Sequence, residues 1–360
     1  MIRWIISQNP AKKRKDAGNL EKIQKFKKVK WKGEKMENRL SERSAAFESA
    51  WALGVVALMA AEAGIFHEKD IIFPEVGALT IGFWAAPACP WQVSGWKAVV
   101  MMLAAALAGF LTVNFVPAPF AVQILISFCA AAALIIQSRT RFYPVFSAAI
   151  LPVVLRGANP AYLASVAVFA TGVILTTGWL KWGRQGRKAR PERISPPGPL
   201  LEKRVQILRF AVFLGFVLIL GMLGERLGHQ LLIAPPLIVG AAGIVDDPSP
   251  IPLVNLFKIG GLCLAAAVFG AGCRLALTLT MGFAPWLTAA AAFALVLLVS
   301  WRFGLWFPPA GAVAVLAYLI PKAAVRTYPL WAGLGALGLG ISAVAVRFLT
   351  RKAGEKLLRL

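Results

Sequence analysis

The chain has 360 residues, 58% of them hydrophobic and 15% charged, with a formal net charge of +23. A soluble domain is roughly half apolar and a quarter charged, so this composition does not fit one. Most Lys and Arg fall in three blocks, 3–43, 181–204 and 347–359, and between them run apolar stretches long enough to span hydrocarbon; such bases read as membrane-surface charge, not as a nucleic-acid-binding face.

In chain order, a basic tail, 1–44, comes first. It shows no cleavable signal peptide, because 1–7 is too short for an apolar core and Lys and Arg dominate the rest of the tail. Residues 20–31 read either as a basic surface helix on anionic lipid or as a solvated tail, and Met36 is an alternative start. A first transmembrane repeat, 45–180, holds apolar segments at 45–66, 74–87, 96–115, 120–138, 144–155 and 162–180. After a basic linker, 181–204, a second repeat, 205–348, holds segments at 205–223, 235–245, 257–276, 285–301, 308–320 and 328–348. A basic tail, 349–360, ends the chain. The expected fold class is therefore all-α: a polytopic transmembrane helical bundle of about twelve membrane segments in two parallel six-segment repeats. The bases orient it with both tails and the linker cytoplasmic, in a cell membrane, and with His67 and His229 outside.

An internal frame supports that division. Carrying Pro74 onto Pro235, a shift of 161 residues, lays 74–109 ungapped over 235–270. Gly82 falls on Gly243, Pro87 on Pro248, Lys97 on Lys258 and Gly109 on Gly270; Pro144 matches Pro308 after a small insertion.

In each half the second and fifth segments are short. As helices of roughly 11–14 residues they would cover about 15–20 Å, less than the roughly 30 Å hydrocarbon core. Each opens on proline (Pro74, Pro144, Pro235, Pro308), the residue favoured at a first helical turn, after an apolar extended-looking stretch. They read either as half-helices of broken membrane segments or as ordinary short, tilted helices. On the first reading, the candidate substrate-binding set is Pro74, Glu75, Gly77, Pro144, Ser147, Pro235, Pro308, Pro309 and Gly311. Helix N-termini meeting from opposite leaflets would offer unpaired N–H groups to an anion. Glu75 is either a carboxylate matched to the helix dipole or a proton or cation site, and it opposes a bare anion.

Glu48 and Glu62 lie in the first segment, while Arg156, Arg274 and Arg302 stand near segment ends, from which they can snorkel to headgroups. Asp246 and Asp247 read as a cytoplasmic surface pair, and His67 and His229 as caps of the preceding spans. Cys89, Cys129, Cys263 and Cys273 are too scattered for a disulfide framework or a metal site and read as apolar packing. Gly333, Gly335 and Gly338 match GxGxxG but lie inside an apolar span, where glycine permits close helix approach and is no nucleotide loop. Neither a nucleotide or hydrolase motif nor paired catalytic carboxylates occur, so neither an enzyme nor a cofactor is expected.

The stretch Phe307-Pro308-Pro309-Ala310-Gly311-Ala312 resembles the signature of the HPP family of integral membrane proteins, with Phe307 where that family has His. Gly77, Ala78, Phe83, Pro87 and Pro90 resemble its first conserved region. Where family members carry one four-helix-scale unit, this chain looks like two. The resemblance implies movement of a small anion such as nitrite. Two functions are thus expected: a secondary transporter or channel-like carrier of a small solute, more in keeping with an inorganic anion, or a non-transporting scaffold, assembly or lipid-interacting protein. The implied partners are the bilayer, anionic lipid at the basic tails, a small-molecule or anion substrate and, compatibly, further copies of the chain, but no nucleic acid.

Overall fold

The computed structural model describes residues 46–86, 89–182, 200–247 and 253–357. The N-terminal unit, Met1–Glu48, is described only at 46–48, the opening residues of a helix; the basic tail and most of the central linker lie outside the described residues. In the body, Ser49–Leu360, the described residues form helices joined by short loops, with no strand among them.

In chain order the helices are α1 (Ala46–Ile65), α2 (Glu75–Thr80, continued by a π-helical turn Ile81–Ala85), α3 (Gly95–Phe115) and α4 (Phe120–Ser138). Next come α5 (Pro144–Val154), α6 (Pro160–Trp182), α7 (Leu200–Arg226) and α8 (Pro235–Asp246). The last four are α9 (Leu253–Gly272, continued by a π-helical stretch Cys273–Thr280), α10 (Pro285–Phe303), α11 (Pro308–Leu319) and α12 (Tyr328–Leu357).

Eight of them (α1, α3, α4, α6, α7, α9, α10 and α12) are long and apolar enough to cross a membrane, which fits a multi-pass membrane protein. The four segments expected to be short are the remaining helices. α2, α5, α8 and α11 are too short to cross alone, since 12 residues of helix rise only about 18 Å.

The short helices form the core. Every residue of α2, α5 and α11 is buried, and so is nearly all of α8. The long helices turn Leu58, Phe115, Ile219, Phe257 and Ile341 outward. An apolar exterior around an equally apolar interior is what a lipid solvent permits and water does not.

Several helices overrun their expected bounds, two of them well into the basic segments. α7 begins at Leu200, inside the predicted linker, and α12 runs to Leu357, inside the predicted tail. Lys, Arg, Glu and Leu are good helix formers, so a helix continues past the apolar span when nothing breaks it. The stretches ahead of α2 and α8 contain single 3-10 turns, Lys69–Ile71 and Gln230–Ile233, and extended backbone follows the first at Ile72. Each turn closes a backbone bond of its own: Ile72 N–H donates to the Lys69 carbonyl at 2.9 Å and Ala234 N–H to that of Leu231 at 3.1 Å.

Several features recur at positions 161 to 166 residues apart. Left-handed backbone occurs at His67 (φ 52°) and, 161 residues on, at Gly228 (φ 72°). It occurs again at Arg139 (φ 50°), ending α4, and at Gly304 (φ 62°), ending α10. A Cβ added at Gly109 would lie 2.9 Å from the Ala149 carbonyl carbon, and one at Gly270 would lie 3.1 Å from that of Ala314. Tyr162 donates its hydroxyl to the Ala148 carbonyl and Tyr328 donates to that of Val313, both at 2.7 Å.

Candidate functional site

The four proline-led starts are built alike. Each tightens its first turn with a three-residue-spaced bond: Gly77 N–H to Pro74 O at 3.0 Å, Phe146 to Tyr143 at 2.9 Å, Leu237 to Ala234 at 2.8 Å and Ala310 to Phe307 at 3.0 Å. In α8 and α11 the first two residues are both proline, so they offer no N–H, and the third N–H is already spent. The expected anion cradle of unpaired N–H groups therefore does not exist in the first turn of those two helices. Nor do the N-termini meet end to end across the α5–α8 pair. Tyr143, at the start of α5, bonds Asp246, at the end of α8, so these helices lie antiparallel.

The candidate residues are all buried, and two pairs meet. Gly77 of α2 and Gly311 of α11 touch backbone to backbone: a Cβ at Gly77 would stand 2.8 Å from the Gly311 carbonyl, and one at Gly311 would stand 2.7 Å from the Gly77 carbonyl oxygen. Glu75 at the head of α2 accepts a hydrogen bond from the hydroxyl of Ser147 in α5. Glu75 is 1% exposed and Ser147 0% exposed, and the second oxygen of Glu75, Oε2, has no hydrogen-bond partner among the described residues. Pro235, Pro308 and Pro309 take no part in this pair; in the 161-residue frame the place of Glu75 is held by Pro236.

Around Glu75 the chain is pinned at the loop that precedes α2 and at the start of α6. Ser165 donates to the Ile71 carbonyl at 2.6 Å, and Asn159 N–H donates to Asp70 Oδ2 at 2.8 Å. Tyr162 stands edge-on to Phe73, centroids 6.2 Å apart. Asp70, in the loop before α2, is half-buried, and that burial pushes its carboxyl above the ordinary range against the opposing pull of Asn159 N–H.

A second polar node was not foreseen. Asp246, expected at the surface, is 8% exposed. It accepts from Tyr143 Oη at 2.7 Å and Gln206 Nε2 at 3.0 Å, with Arg141 Nε 3.7 Å away. The sequence signal was there: acids close the second-half short segment where the first half has Ala85 and Ala86. Arginines also finish two of the short helices, α8 and α11. Arg209 and Arg347 donate to the Val245 and Ile244 carbonyls at the end of α8, at 3.2 and 3.4 Å. Arg274, expected to snorkel, is instead buried and donates to the Ala317 and Ile320 carbonyls at the end of α11. A helix ending inside a bundle leaves carbonyls unpaired and a negative dipole end, and a guanidinium answers both.

His229 stacks on Trp331, centroids 4.1 Å apart. The GxGxxG glycines of α12 serve close approach, as expected: a Cβ at Gly335 would lie 3.0 Å from the Leu232 carbonyl carbon.

No family model, curated protein or solved structure matches this chain.

Proposed function

We propose that this protein is a secondary carrier of a small solute, in which Glu75 and Ser147 form a proton- or cation-coupling centre. The observation that carries the reading is the unpartnered oxygen of a carboxyl buried at the head of a short intramembrane helix. An ionised carboxylate there costs several kcal/mol unless a proton, a cation or full hydrogen bonding compensates it. Ser147 supplies only one bond, which leaves the balance to a mobile ion.

Two parallel six-segment halves are the natural frame for such a carrier, and the recurring left-handed caps, tyrosine bonds and glycine contacts support a duplication. The short helices then run between leaflets as the buried part of broken segments, with both tails and the linker cytoplasmic. The solute is an inorganic anion of the nitrite class if the resemblance to HPP proteins around Phe307-Pro308-Pro309 reflects descent. Because the carboxylate repels a bare anion, that anion would move together with a proton.

The test is uptake by proteoliposomes under an inward proton gradient, over a panel including nitrite, nitrate and small cations. A transported substrate whose gradient-driven uptake falls at least tenfold in Glu75→Gln, with protein folded and inserted, is expected. Uptake that is indifferent to this change removes the coupling role.

A second reading is favoured by the Gly77–Gly311 contact, where two backbones leave no room for solute: a non-transporting membrane scaffold. The readings separate at Ser147→Cys. A carrier that opens must expose that thiol to a small permeant reagent during turnover, and a static scaffold keeps it unreactive.

A further inference from the structure

A groove of about 440 Å³ lies between α8, α9 and α12. Its lining, from Leu237 and Ile244 through Phe257 and Cys263 to Phe307 and Phe348, is wholly apolar. A site for a polar solute carries at least a few convergent polar groups, and this one has none. Along α12 it extends from Ala336 to Phe348, about 18 Å of helix rise, close to the roughly 15 Å depth of one hydrocarbon leaflet.

All of the lining residues fall between 237 and 348. In the 161-residue frame Gly240, Gly260 and Cys263 fall on Leu79, Val99 and Met102, and aligning Tyr328 with Tyr162 sets Gly340 on Ile174. Ile174 packs towards Gly95: a Cβ at that glycine would lie 2.6 Å from Ile174 Cγ2. At Gly260 and Gly340 a Cβ would meet nothing within 4 Å. At Gly240 the Phe307 ring fills the place, a Cβ there lying 3.1 Å from Phe307 Cε1, so the open space lies where the first half has Val99 and Ile174.

One end of the groove is basic. Lys258 follows Phe257 on α9 and is exposed; Arg347 precedes Phe348 on α12 and reaches the carbonyl of Ile244, itself a lining residue. Arg351 lies one turn beyond Arg347 and is exposed. Asp246 and Asp247 end α8 at the same level, and the first of them is buried against Tyr143 and Gln206. Cations beside an apolar slot one leaflet deep match a lipid with an anionic headgroup.

We infer that this groove holds an acyl chain of an anionic phospholipid, whose phosphate sits at Lys258, Arg347 and Arg351. The occupant is a lipid and not a second copy, because the floor is set by glycines recessed between helices. The bases at one end would also be poorly matched by their own like-charged copies.

The full chain, reconstituted in vesicles of equal phosphatidylglycerol and phosphatidylcholine and then extracted in mild detergent, should retain phosphatidylglycerol on native mass spectrometry. The preference over phosphatidylcholine should be tenfold or more. Gly260→Val combined with Gly340→Ile inserts the residues of the first half into open space. It should leave the thermal midpoint unchanged and cut retained lipid at least tenfold. Lys258→Gln, an exposed change that does not threaten folding, should weaken the headgroup preference about fivefold. Three results overturn the inference: equal retention of both lipids, unchanged retention in the filled variant, or a wild-type dimer that filling dissociates, which would assign the groove to a second copy.

Discussion

Where α2 crosses α11, Gly77 meets Gly311 with no side chain between the two backbones. At the corresponding places of the α5–α8 pair stand Ile238, 161 residues beyond Gly77, and Phe146, 165 before Gly311, the offset that aligns Arg139 with Gly304. Phe146 packs its ring on Phe128 at 4.6 Å and Phe210 at 5.4 Å, and the pair is tied at one end by Tyr143 and Asp246. One crossing is thus held by steric fit, the other by bulk and a polar clamp. In lipid, with little hydrophobic drive between helices, both are workable solutions: close packing of small residues, or hydrogen bonds with nowhere else to go. The difference also decides where chemistry can sit. The glycine crossing brings α2 deep into the bundle, and Glu75 comes with it.

The sharpest way to break the comparison is to put a side chain into the glycine crossing. Gly311→Leu should destabilise by about 3 kcal/mol or more, since its Cβ alone would stand 2.7 Å from the Gly77 carbonyl oxygen. Phe146→Leu, at the corresponding place, keeps most of its volume and should cost about 1–1.5 kcal/mol. Thermal unfolding of the purified variants in one detergent compares them. Equal losses would mean that the two crossings are not built differently.

Next in size is the clamp. Asp246→Ala strands the Tyr143 hydroxyl and the Gln206 amide in a buried place and should cost about 2–3 kcal/mol. Tyr143→Phe removes one donor and leaves Gln206 in place, so it should cost about 1 kcal/mol. A loss below about 0.5 kcal/mol for Asp246→Ala would show that the clamp contributes nothing to the α5–α8 pair.

Much of this was legible in the sequence, for physical reasons. Proline cannot continue a helix from within but starts one well, so Pro144, Pro235 and Pro308 marked their helix starts to the residue, and Pro74 came within one. Long apolar runs between basic blocks gave the eight crossing helices. What stayed hidden depended on pairing across the bundle. Nothing local to Glu75 tells that Ser147, 72 residues away, bonds it. Nothing local to Asp246 tells that it faces Tyr143 and not water. The loss of N–H donors at α8 and α11 was readable, since twin prolines carry none, but the closing bond from the third residue shows only in the folded chain.

A finer probe tests the likeness of the halves and not their difference. Tyr162 and Tyr328, both buried, hold equivalent bonds of 2.7 Å to carbonyls of α5 and α11. Tyr162→Phe and Tyr328→Phe should each cost about 1 kcal/mol, and should agree within about 0.5 kcal/mol if the halves share one design. A gap beyond about 1 kcal/mol would mean that the matched bonds do unequal work, and the duplicated frame would lose its best energetic support.

The smallest effect on stability belongs to the residue with the largest proposed effect on function. Glu75→Gln keeps the length of the side chain and an oxygen to accept from Ser147, while removing any buried charge. The amide still leaves polar atoms unpaired where Oε2 now is, but a neutral unpaired group costs less than an unpaired ion. Stability should therefore change by less than about 0.5 kcal/mol or rise slightly, in contrast to the losses at Gly311 and Asp246. Ser147→Ala, by contrast, strips the hydroxyl bond from the carboxyl and should cost about 1–2 kcal/mol in the wild-type background. In the Glu75→Gln background the same change should cost less, because a hydrogen bond to a charged group is worth more than one to a neutral amide. A double-mutant cycle on thermal stability reads that coupling directly. Strict additivity of Glu75→Gln and Ser147→Ala would mean that the two side chains, though in contact, do not act as one centre.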